Sequence, residues 1–371
     1  MENVLHMKLI QTLFYVIVLS ALFTGCQSSQ SDDISPQPSP ASASLRDVLS
    51  KPNLLVLLTN GSLWLTDPIE QLSSQIYTLK VGESPSSVAL DTFKLSPKKT
   101  HVIWYTAGKG LFSLNIEQKK VNTVYKPSDW FNTHPYMAFM PESNTTVLVD
   151  QEGKTLVFID LTTNSVTTSS IPYPFGTVFK PSPNGQAFVF VSGFSKEATP
   201  ETTYMFTSSD LSTQQQFVTK TEQIERDQIE WLADSSGIIT IEADSTLMLY
   251  AYANPDNKRV FYALPEGEKI THVQRAGDYY FVASAQQTWH VLDQTGKLYA
   301  RLPIDMVADL NSPNLIPYVD SHFLVDEVFK PSEQERFHRL WLLSFKGEKK
   351  LVTPKFNEMY VEANTEASTV K

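Results

Sequence analysis

The architecture of this chain is decided by residues 91–125, which read DTFKLSPKKTHVIWYTAGKGLFSLNIEQKKVNTVY. Within this stretch, mainly apolar segments alternate with short segments rich in Ser, Pro, Gly, Lys and Gln at residues 96–99, 107–110 and 118–120. Residues of these types accept or preset the backbone angles of turns, so the pattern predicts four short strands joined by tight connections. No convincing helical periodicity competes with this interpretation.

The same four-strand phrase recurs along the chain. Its third predicted strand carries a small or polar residue followed by a short apolar run. These apolar runs begin at Leu63, Leu111, Leu156, Tyr204, Leu247, Trp289 and Leu340, with successive gaps of 48, 45, 48, 43, 42 and 51 residues. Four short strands in a repeat of about 40–50 residues is typical of a β-propeller blade. Residues 45–365 are therefore predicted to form an all-β, seven-bladed β-propeller, in which each blade is a four-stranded antiparallel sheet.

The turn between the first and second predicted strands of a repeat resembles a motif of a known protein family. Residues 179–186 (FKPSPNGQ) and 231–237 (WLADSSG), with a weaker copy at 95–99, resemble the strand–SPDGK–strand motif of TolB-like and other WD40-like propellers. The Trp-Asp dipeptide of true WD40 blades does not recur, so that subfamily is not indicated. The resemblance covers roughly residues 50–365 and implies partners in the cell envelope, presented by an axial face.

Closure of the ring is predicted from the two ends of the repeat region. The first repeat begins directly with a second strand at residues 53–59, which leads into the Asn60-Gly61 turn, so it lacks an innermost strand. Residues 356–363 follow the last strand of the seventh repeat and contain Met359-Tyr360-Val361. We expect this segment to supply the missing strand, because closure removes exposed sheet edges. A frayed tail is the alternative, and residues 366–371 are predicted to be disordered.

The N-terminus reads as an export signal. Residues 9–23 (LIQTLFYVIVLSALF) form an apolar run that is short for spanning ~30 Å of hydrocarbon but suits a signal peptide, predicted at residues 1–25. The small residues before Cys26, the one cysteine of the chain, resemble the lipobox of bacterial lipoproteins, in which the cysteine thiol carries the lipid. Lipidation at Cys26 is therefore predicted. An uncleaved signal anchor is the alternative, and Met7 is a second candidate start beside Met1.

The segment after the cysteine is predicted to be a tether. Residues 26–44 are rich in Ser, Pro and Gln, with Ile34 as their one large apolar residue. The contacts that such a segment can make do not compensate for the conformational entropy it would lose on ordering, so it stays flexible. The lipid on Cys26 makes a membrane the first predicted partner, on its extracytoplasmic side. Gln27 is not the Asp that signals inner-membrane retention, so the outer membrane or its periplasmic face is expected in a host with two membranes.

Composition and motif searches exclude several function classes. The chain has 371 residues, 42% of them hydrophobic, and a net charge of −10 without a basic block. Such a chain can bury a core, and no nucleic-acid partner is expected. One cysteine excludes internal disulfides and multi-cysteine zinc sites. The sequence contains no Gly-x-Ser-x-Gly, His-Glu-x-x-His or glycine-rich nucleotide loop, so neither catalysis nor a cofactor is expected.

A metal site is not expected either. The histidines are scattered over the predicted blades, with His272 on an inner strand, His290 on a third strand and His322 in a first turn. Carboxylates near a propeller axis can bind Ca²⁺. Candidates of this kind are Asp91, Glu230 and Asp320, joined by Glu358 and Glu362 if the C-terminal segment closes the ring. Solvated carboxylates lining a wet channel are the favoured interpretation.

The predicted binding surface is the ring face that carries the loops between successive blades. Residues 126–135, 171–176, 194–203 and 303–314 form unequal loops there, some with aromatic residues in a polar context. Trp and Tyr are enriched at interface hot spots. The binding candidates are Trp130, Phe131, His134, Tyr173, Asp305 and Asn311. The alternative is that Trp130 and Phe131 fold inward and cover the ends of neighbouring blades.

Three functions stay open on the sequence. The favoured one is a membrane-anchored, extracytoplasmic, non-enzymatic module that binds an envelope protein or a small ligand at the propeller face. The second is an extracellular propeller enzyme of the lactonase, lyase or glycan-cleaving type, with an axial carboxylate or metal site. The third is a structural subunit of an envelope assembly. Fold alone does not decide among them.

Overall fold

A computed structural model describes residues 41–59, 61–85, 93–126, 137–150, 155–171, 175–192, 202–219, 229–242, 244–310, 313–319, 321–329, 337–352 and 360–361. Nearly all regular structure in these residues is β. The strands form seven sheets, which we call blades one to seven in chain order.

The bounds of the elements in the first four blades are as follows. Blade one contains β1 (Ala41–Ser42), helix α1 (Leu45–Leu49), β2 (Leu55–Thr59), β3 (Ser62–Asp67) and β4 (Leu72–Thr78). Blade two contains β5 (Lys94–Leu95), β6 (His101–Thr106), β7 (Gly110–Asn115) and β8 (Lys120–Tyr125). Blade three contains β9 (Met137–Phe139), β10 (Thr145–Asp150), β11 (Thr155–Asp160) and β12 (Ser165–Ser170). Blade four contains β13 (Phe175–Pro181), β14 (Ala187–Ser192), β15 (Thr202–Ser208) and β16 (Gln214–Thr219).

The last three blades complete the ring. Blade five contains β17 (Ile229–Trp231), β18 (Gly237–Glu242), β19 (Thr246–Ala251) and β20 (Lys258–Ala263). Blade six contains β21 (Ile270–Ala276), β22 (Tyr279–Ser284), β23 (Thr288–Leu292) and β24 (Leu298–Pro303), followed by a 3-10 helix (Ile304–Val307). Blade seven contains β25 (Pro313–Pro317), β26 (His322–Phe329), β27 (Phe337–Ser344), β28 (Lys349–Leu351) and β29 (Tyr360–Val361).

The repeat read from the sequence matches the sheets. In blades two to seven the first four strands pair in chain order, each antiparallel to the next. The third strands are β3, β7, β11, β15, β19, β23 and β27, and each contains the predicted apolar run. The turn at residues 96–99 also separates β5 from β6 as predicted. The prediction of seven four-stranded blades is confirmed.

The core consists of seven apolar clusters, each formed between two neighbouring blades. Strand β6 shows how one blade contributes to two clusters, because side chains alternate along a strand. Val102 and Trp104 pack with blade one, whereas Ile103 and Tyr105 pack with blade three. Every residue of β6 is buried. Burial on both faces explains why the inner part of each blade reads as a nearly continuous apolar run rather than as a strict alternation.

The last blade packs on the first, which closes the ring. Leu57 of blade one lies in one buried cluster with Leu324 and Leu340 of blade seven. A hydrogen bond crosses the same interface: the Tyr318 hydroxyl donates to the Asn53 carbonyl at 2.9 Å. Seven interfaces between seven sheets form a closed β-propeller.

The C-terminal strand does not take the predicted position. β29 pairs antiparallel with Phe337 and His338 at the start of β27, and thus extends the outer edge of blade seven. It also approaches β2 of blade one, but among the described residues β2 has no partner on its inner side. The reason lies in β28, whose pairing stops at Trp341 and leaves the first half of the β27 edge open. The rest of residues 353–371 lies outside the described residues.

The start of the described chain belongs to blade one. β1 runs parallel to β4, with Ala41 opposite Leu72. Ser44 caps helix α1 by accepting a hydrogen bond from the Asp47 amide at 3.2 Å, and Val48 is buried against blades one and two. Residues 41–44, which the sequence assigned to the tether, are therefore part of the propeller. Within the described residues, no helix is long and apolar enough to cross a membrane.

Candidate functional site

Most of the predicted site residues lie outside the described part of the chain. These residues are Cys26, Trp130, Phe131, His134, Tyr173 and Asn311. Asp305 lies in the 3-10 helix that follows blade six. Of the four predicted binding loops, the structure describes most of residues 303–314, where Val307 is buried in the apolar cluster between blades six and seven. The binding role of the candidate residues stays a prediction.

The carboxylate predicted near the axis is engaged in contacts between blades. Glu230 on β17 lies 3.2 Å from the Lys180 ammonium on β13, and both side chains are less than a fifth exposed. The same carboxylate accepts a hydrogen bond from the Arg275 backbone amide on β21 at 3.2 Å. Glu230 thus links the inner strands of blades four, five and six. The expectation of a freely solvated carboxylate is wrong for this residue. Asp91, Asp320, Glu358 and Glu362 lie outside the described residues.

The described histidines do not converge on one site. His272 lies on inner strand β21 and His290 on third strand β23, as predicted, whereas His322 begins β26 instead of lying in a turn. The His290 ring is fully buried, with the Tyr262 hydroxyl 2.9 Å from Nδ1 and Glu268 3.4 Å from Nε2. Across the described ranges, no group of three or more His, Cys, Asp or Glu residues is arranged to hold a metal ion.

A cleft between blades two and three is the candidate functional site. It has a volume of about 220 Å³ and opens on the side of the ring that carries the turns between third and fourth strands. We call it the interblade cleft. Its lining residues are His101, Ser113, Asn115, Gln118, Lys120, Asn122, Leu161, Thr162 and Asn164. This side is opposite to the face on which the sequence placed the binding loops.

The strands of blade two build one wall of the interblade cleft. Leu111, Ser113 and Asn115 alternate along β7 and so share one face, which Leu111 directs toward blade three. Near Leu111 this face is apolar and packs with blade three, whereas beyond it the face is polar. The interblade cleft lies where the interface changes from apolar to polar.

Ser113 departs from the pattern of the other blades. It lies two residues after the start of the apolar run in the third strand, and the same position in every other blade carries an apolar residue that packs toward the next blade. These residues are Leu65, Phe158, Phe206, Leu249, Val291 and Leu342. Ser113 therefore replaces a core side chain at one of seven interfaces. Aligning the seven third strands position by position would reveal this departure in the sequence, whereas the spacing of turns and apolar runs does not.

The hydrogen bonding of the interblade cleft is incomplete. Ser113 is only 3% exposed, and its hydroxyl has no hydrogen-bond partner. Buried polar groups are paired in the large majority of cases, so this hydroxyl, which is itself shielded from solvent within the cleft wall, marks a place where a polar partner is missing. Asn122 lies directly opposite Ser113 on β8, so the two side chains form a cross-strand pair.

The interblade cleft is close to neutral. Burial lowers the pKa of His101, an effect partly offset by the Asp160 carboxylate, so the uncharged form of this imidazole is favoured. Its Nδ1 lies 2.9 Å from the Thr100 hydroxyl, and Asn115 donates to its Nε2 at 3.4 Å. Lys120 is the one lining residue that carries a formal charge. Amide and hydroxyl groups therefore dominate the surface that a ligand would meet.

Comparison with known proteins finds the same fold in solved structures of low sequence identity. No protein-family model and no curated protein sequence matches this chain. A solved structure of Hsv2 from Kluyveromyces marxianus matches it with a TM-score of 0.50 at 11% identity, over 80% of this chain and 94% of that one. A prolyl endopeptidase structure matches with a TM-score of 0.55 at 12% identity, over 84% of this chain and 53% of that one. These likenesses show the fold alone.

A third solved structure belongs to a different functional class. The dihydro-heme d1 dehydrogenase NirN, in complex with DHE, matches with a TM-score of 0.52 at 12% identity. The match covers 89% of this chain and 78% of that one. The function of the present propeller has to be argued from its own residues.

Proposed function

We propose that this protein is a lipid-anchored, extracytoplasmic β-propeller that binds a small ligand in the bacterial cell envelope and does not transform it. The observation that carries the binding role is the interblade cleft, whose wall holds the buried, unpaired hydroxyl of Ser113. The apolar segment 9–23 followed by Cys26 supports the anchored location.

Binding fits the lining of the interblade cleft better than catalysis. None of its lining residues is a carboxylate or a thiol. Its one histidine, His101, is buried and already hydrogen-bonded to neighbouring side chains. The rival proposal of an enzyme with an axial carboxylate is weakened at Glu230, because that group is held by Lys180 and by backbone amides.

Lipid labelling tests the anchored location. The full chain is expressed in a bacterium supplied with a labelled fatty acid, beside a Cys26→Ala variant. We expect label and membrane association for the natural chain, together with a mature N-terminus at Cys26. The variant should carry no label. Label on the variant, or an intact signal peptide on the natural chain, would contradict the proposal.

A thermal-shift screen tests the binding role. Small polar compounds, neutral and anionic, are added to the full chain and to Ser113→Leu, which fills the interblade cleft with the residue type found in other blades. A ligand that binds the folded state raises its midpoint by mass action. We expect at least one compound to raise the midpoint of the natural chain but not that of the variant. If no compound does so, the binding role is wrong.

A further inference from the structure

The geometry points to a carbohydrate site: we infer that the interblade cleft binds a single neutral sugar unit, an inference that rests on the proposed ligand-binding function. Size is the first argument. A volume of about 220 Å³ lies below the ~300–1,000 Å³ of sites for drug-sized ligands. One pyranose ring with its hydroxyl groups is a ligand of this size.

The second argument is the type of group that lines the interblade cleft. Asn115, Gln118, Asn122 and Asn164 each offer a carbonyl acceptor and an amino donor. The hydroxyls of Ser113 and Thr162 likewise donate and accept. A sugar hydroxyl also does both, so a ring of such hydroxyls can satisfy a wall in which donors and acceptors are mixed. An apolar ligand would leave these groups unpaired at a high cost.

The third argument separates a sugar from an anion. The interblade cleft contains one ammonium group, on Lys120, and no arginine among its lining residues. Beside it, Asp160 accepts hydrogen bonds from the backbone amides of Thr162 and Thr163, at 2.7 and 3.2 Å, which occupies donors that could otherwise hold a phosphate. The negative charge of Asp160 further disfavours an anionic ligand. Neutral ligands are therefore favoured.

The fourth argument is the departure of Ser113 from the repeat. An apolar residue at this position would complete the interface between blades two and three, as it does in the other six blades. Instead, Ser113 and Asn122 face each other across β7 and β8 and lie in the wall of the interblade cleft. Rotation of the Ser113 side chain toward a bound hydroxyl group would give its now shielded oxygen the partner that it lacks.

Saturation-transfer difference NMR on the full chain, in a detergent without a sugar headgroup, tests this inference. The probes are glucose and N-acetylglucosamine, with inorganic phosphate followed separately by its ³¹P linewidth. If one sugar unit binds with the same free energy per non-hydrogen atom as larger ligands do, its dissociation constant should be about 1 mM. The variants are Ser113→Leu and Asn122→Ala. Gln215→Ala is the matched control, because Gln215 faces Phe206 on β16 as Asn122 faces Ser113 on β8.

We expect at least one sugar to bind the natural chain and the control equally, and both cleft variants to weaken binding by about tenfold or more, the effect of losing one hydrogen bond that the site needs. If Ser113→Leu does not fold, the test of the inference rests on Asn122→Ala alone.

Phosphate binding that depends on Asn122, without sugar binding, would overturn the sugar inference and leave the ligand-binding function standing. Sugar binding that both cleft variants retain would overturn the assignment to the interblade cleft. If neither sugars nor any compound of the thermal-shift screen binds, both proposals are wrong.

Discussion

The hydroxyl of Tyr318 in blade seven donates a hydrogen bond to the backbone carbonyl of Asn53, 2.9 Å away, just before the first strand that blade one adds to the ring interior. The Tyr318 ring also lies in the apolar cluster that joins the last blade to the first. Ring closure in this protein thus depends on packing and hydrogen bonds between two complete neighbouring sheets. A strand shared between the chain ends is not seen among the described residues.

Removing the Tyr318 hydroxyl should weaken closure. Tyr318→Phe keeps the buried ring but leaves the Asn53 carbonyl without this donor, so we expect the free energy of unfolding to fall by about 1 kcal/mol. Urea denaturation measures the effect. Tyr299→Phe is the control: Tyr299 is 60% exposed, so loss of its hydroxyl contact with Tyr279 takes place in solvent and should change the midpoint much less. Equal midpoints for the two variants would show that the hydrogen bond does not contribute.

Two glycines of one turn in blade two should differ in their tolerance of a side chain. Gly108 and Gly110 have φ angles of +70° and +111°, but only at Gly110 would a Cβ clash, with the Tyr125 carbonyl oxygen. Gly108→Ala should cost about 1–2 kcal/mol for the left-handed backbone alone. Gly110→Ala should cost about 3 kcal/mol, because strain and clash add. Comparison of the two variants by thermal unfolding tests this order, and a reversed order would contradict it.

The contact between Lys180 and Glu230 should stabilise the inner part of the ring. Glu230→Ala leaves the largely buried Lys180 ammonium without its carboxylate, and we expect a loss of about 2 kcal/mol in the free energy of unfolding. Lys269→Ala serves as the control, because its pair with Asp244 is mostly exposed and contributes little. If Glu230→Ala unfolds at the same urea concentration as the control, the ion pair has no structural role.

Stability should fall as the solution becomes mildly acidic. Burial lowers the pKa of His101 and of His290, while nearby Asp160 and Glu268 partly oppose this and Arg301 adds to the effect at His290. As the pH drops through about 6.5, the pKa of histidine in the unfolded chain, the unfolded state binds protons that the folded state does not bind. Each such proton lowers the free energy of unfolding by about 1.4 kcal/mol per pH unit until the folded pKa is reached.

Denaturation at about pH 7.5 and about pH 5 measures this loss, because the two values bracket the ordinary pKa of histidine. His101→Gln and His290→Gln should each reduce the dependence of stability on pH. Asp160 does not interfere in this range, because the backbone amide of Thr162 lowers the pKa of its carboxyl below an already acidic value. A natural chain that is equally stable at both pH values would contradict the prediction.

Filling the interblade cleft should stabilise the protein. Ser113→Leu places an apolar side chain where Leu65, Leu249 and Leu342 pack in other blades. It also removes an unpaired buried hydroxyl. We expect a gain of about 1 kcal/mol in the free energy of unfolding, below the ~1.5–3 kcal/mol for full burial of a leucine because blade three is not shaped to receive it. A loss of stability would show that the space cannot accept leucine.

The blade repeat was predictable because each blade is specified locally. In residues 91–125, turn residues and apolar runs define four strands that pair with their neighbours in the chain. Strands β1 and β29 were not predictable in the same way. Each is two residues long and pairs with an edge that exists only after the blade has formed. For this reason the prediction that residues 356–363 supply the inner strand of blade one was wrong.

The number of blades and the order of the repeated strands within them were determined by the sequence alone, since spacing between turns and apolar runs is a property of neighbouring residues. The interblade cleft was decided by tertiary structure, because its walls come from residues 101–122 on one sheet and 161–164 on the next. A serine in a strand resembles an ordinary polar position until packing shows that the six equivalent side chains lie in apolar clusters, five of them buried, and that this one faces a cavity. Such a site depends on which faces meet, and only the closed ring brings them together.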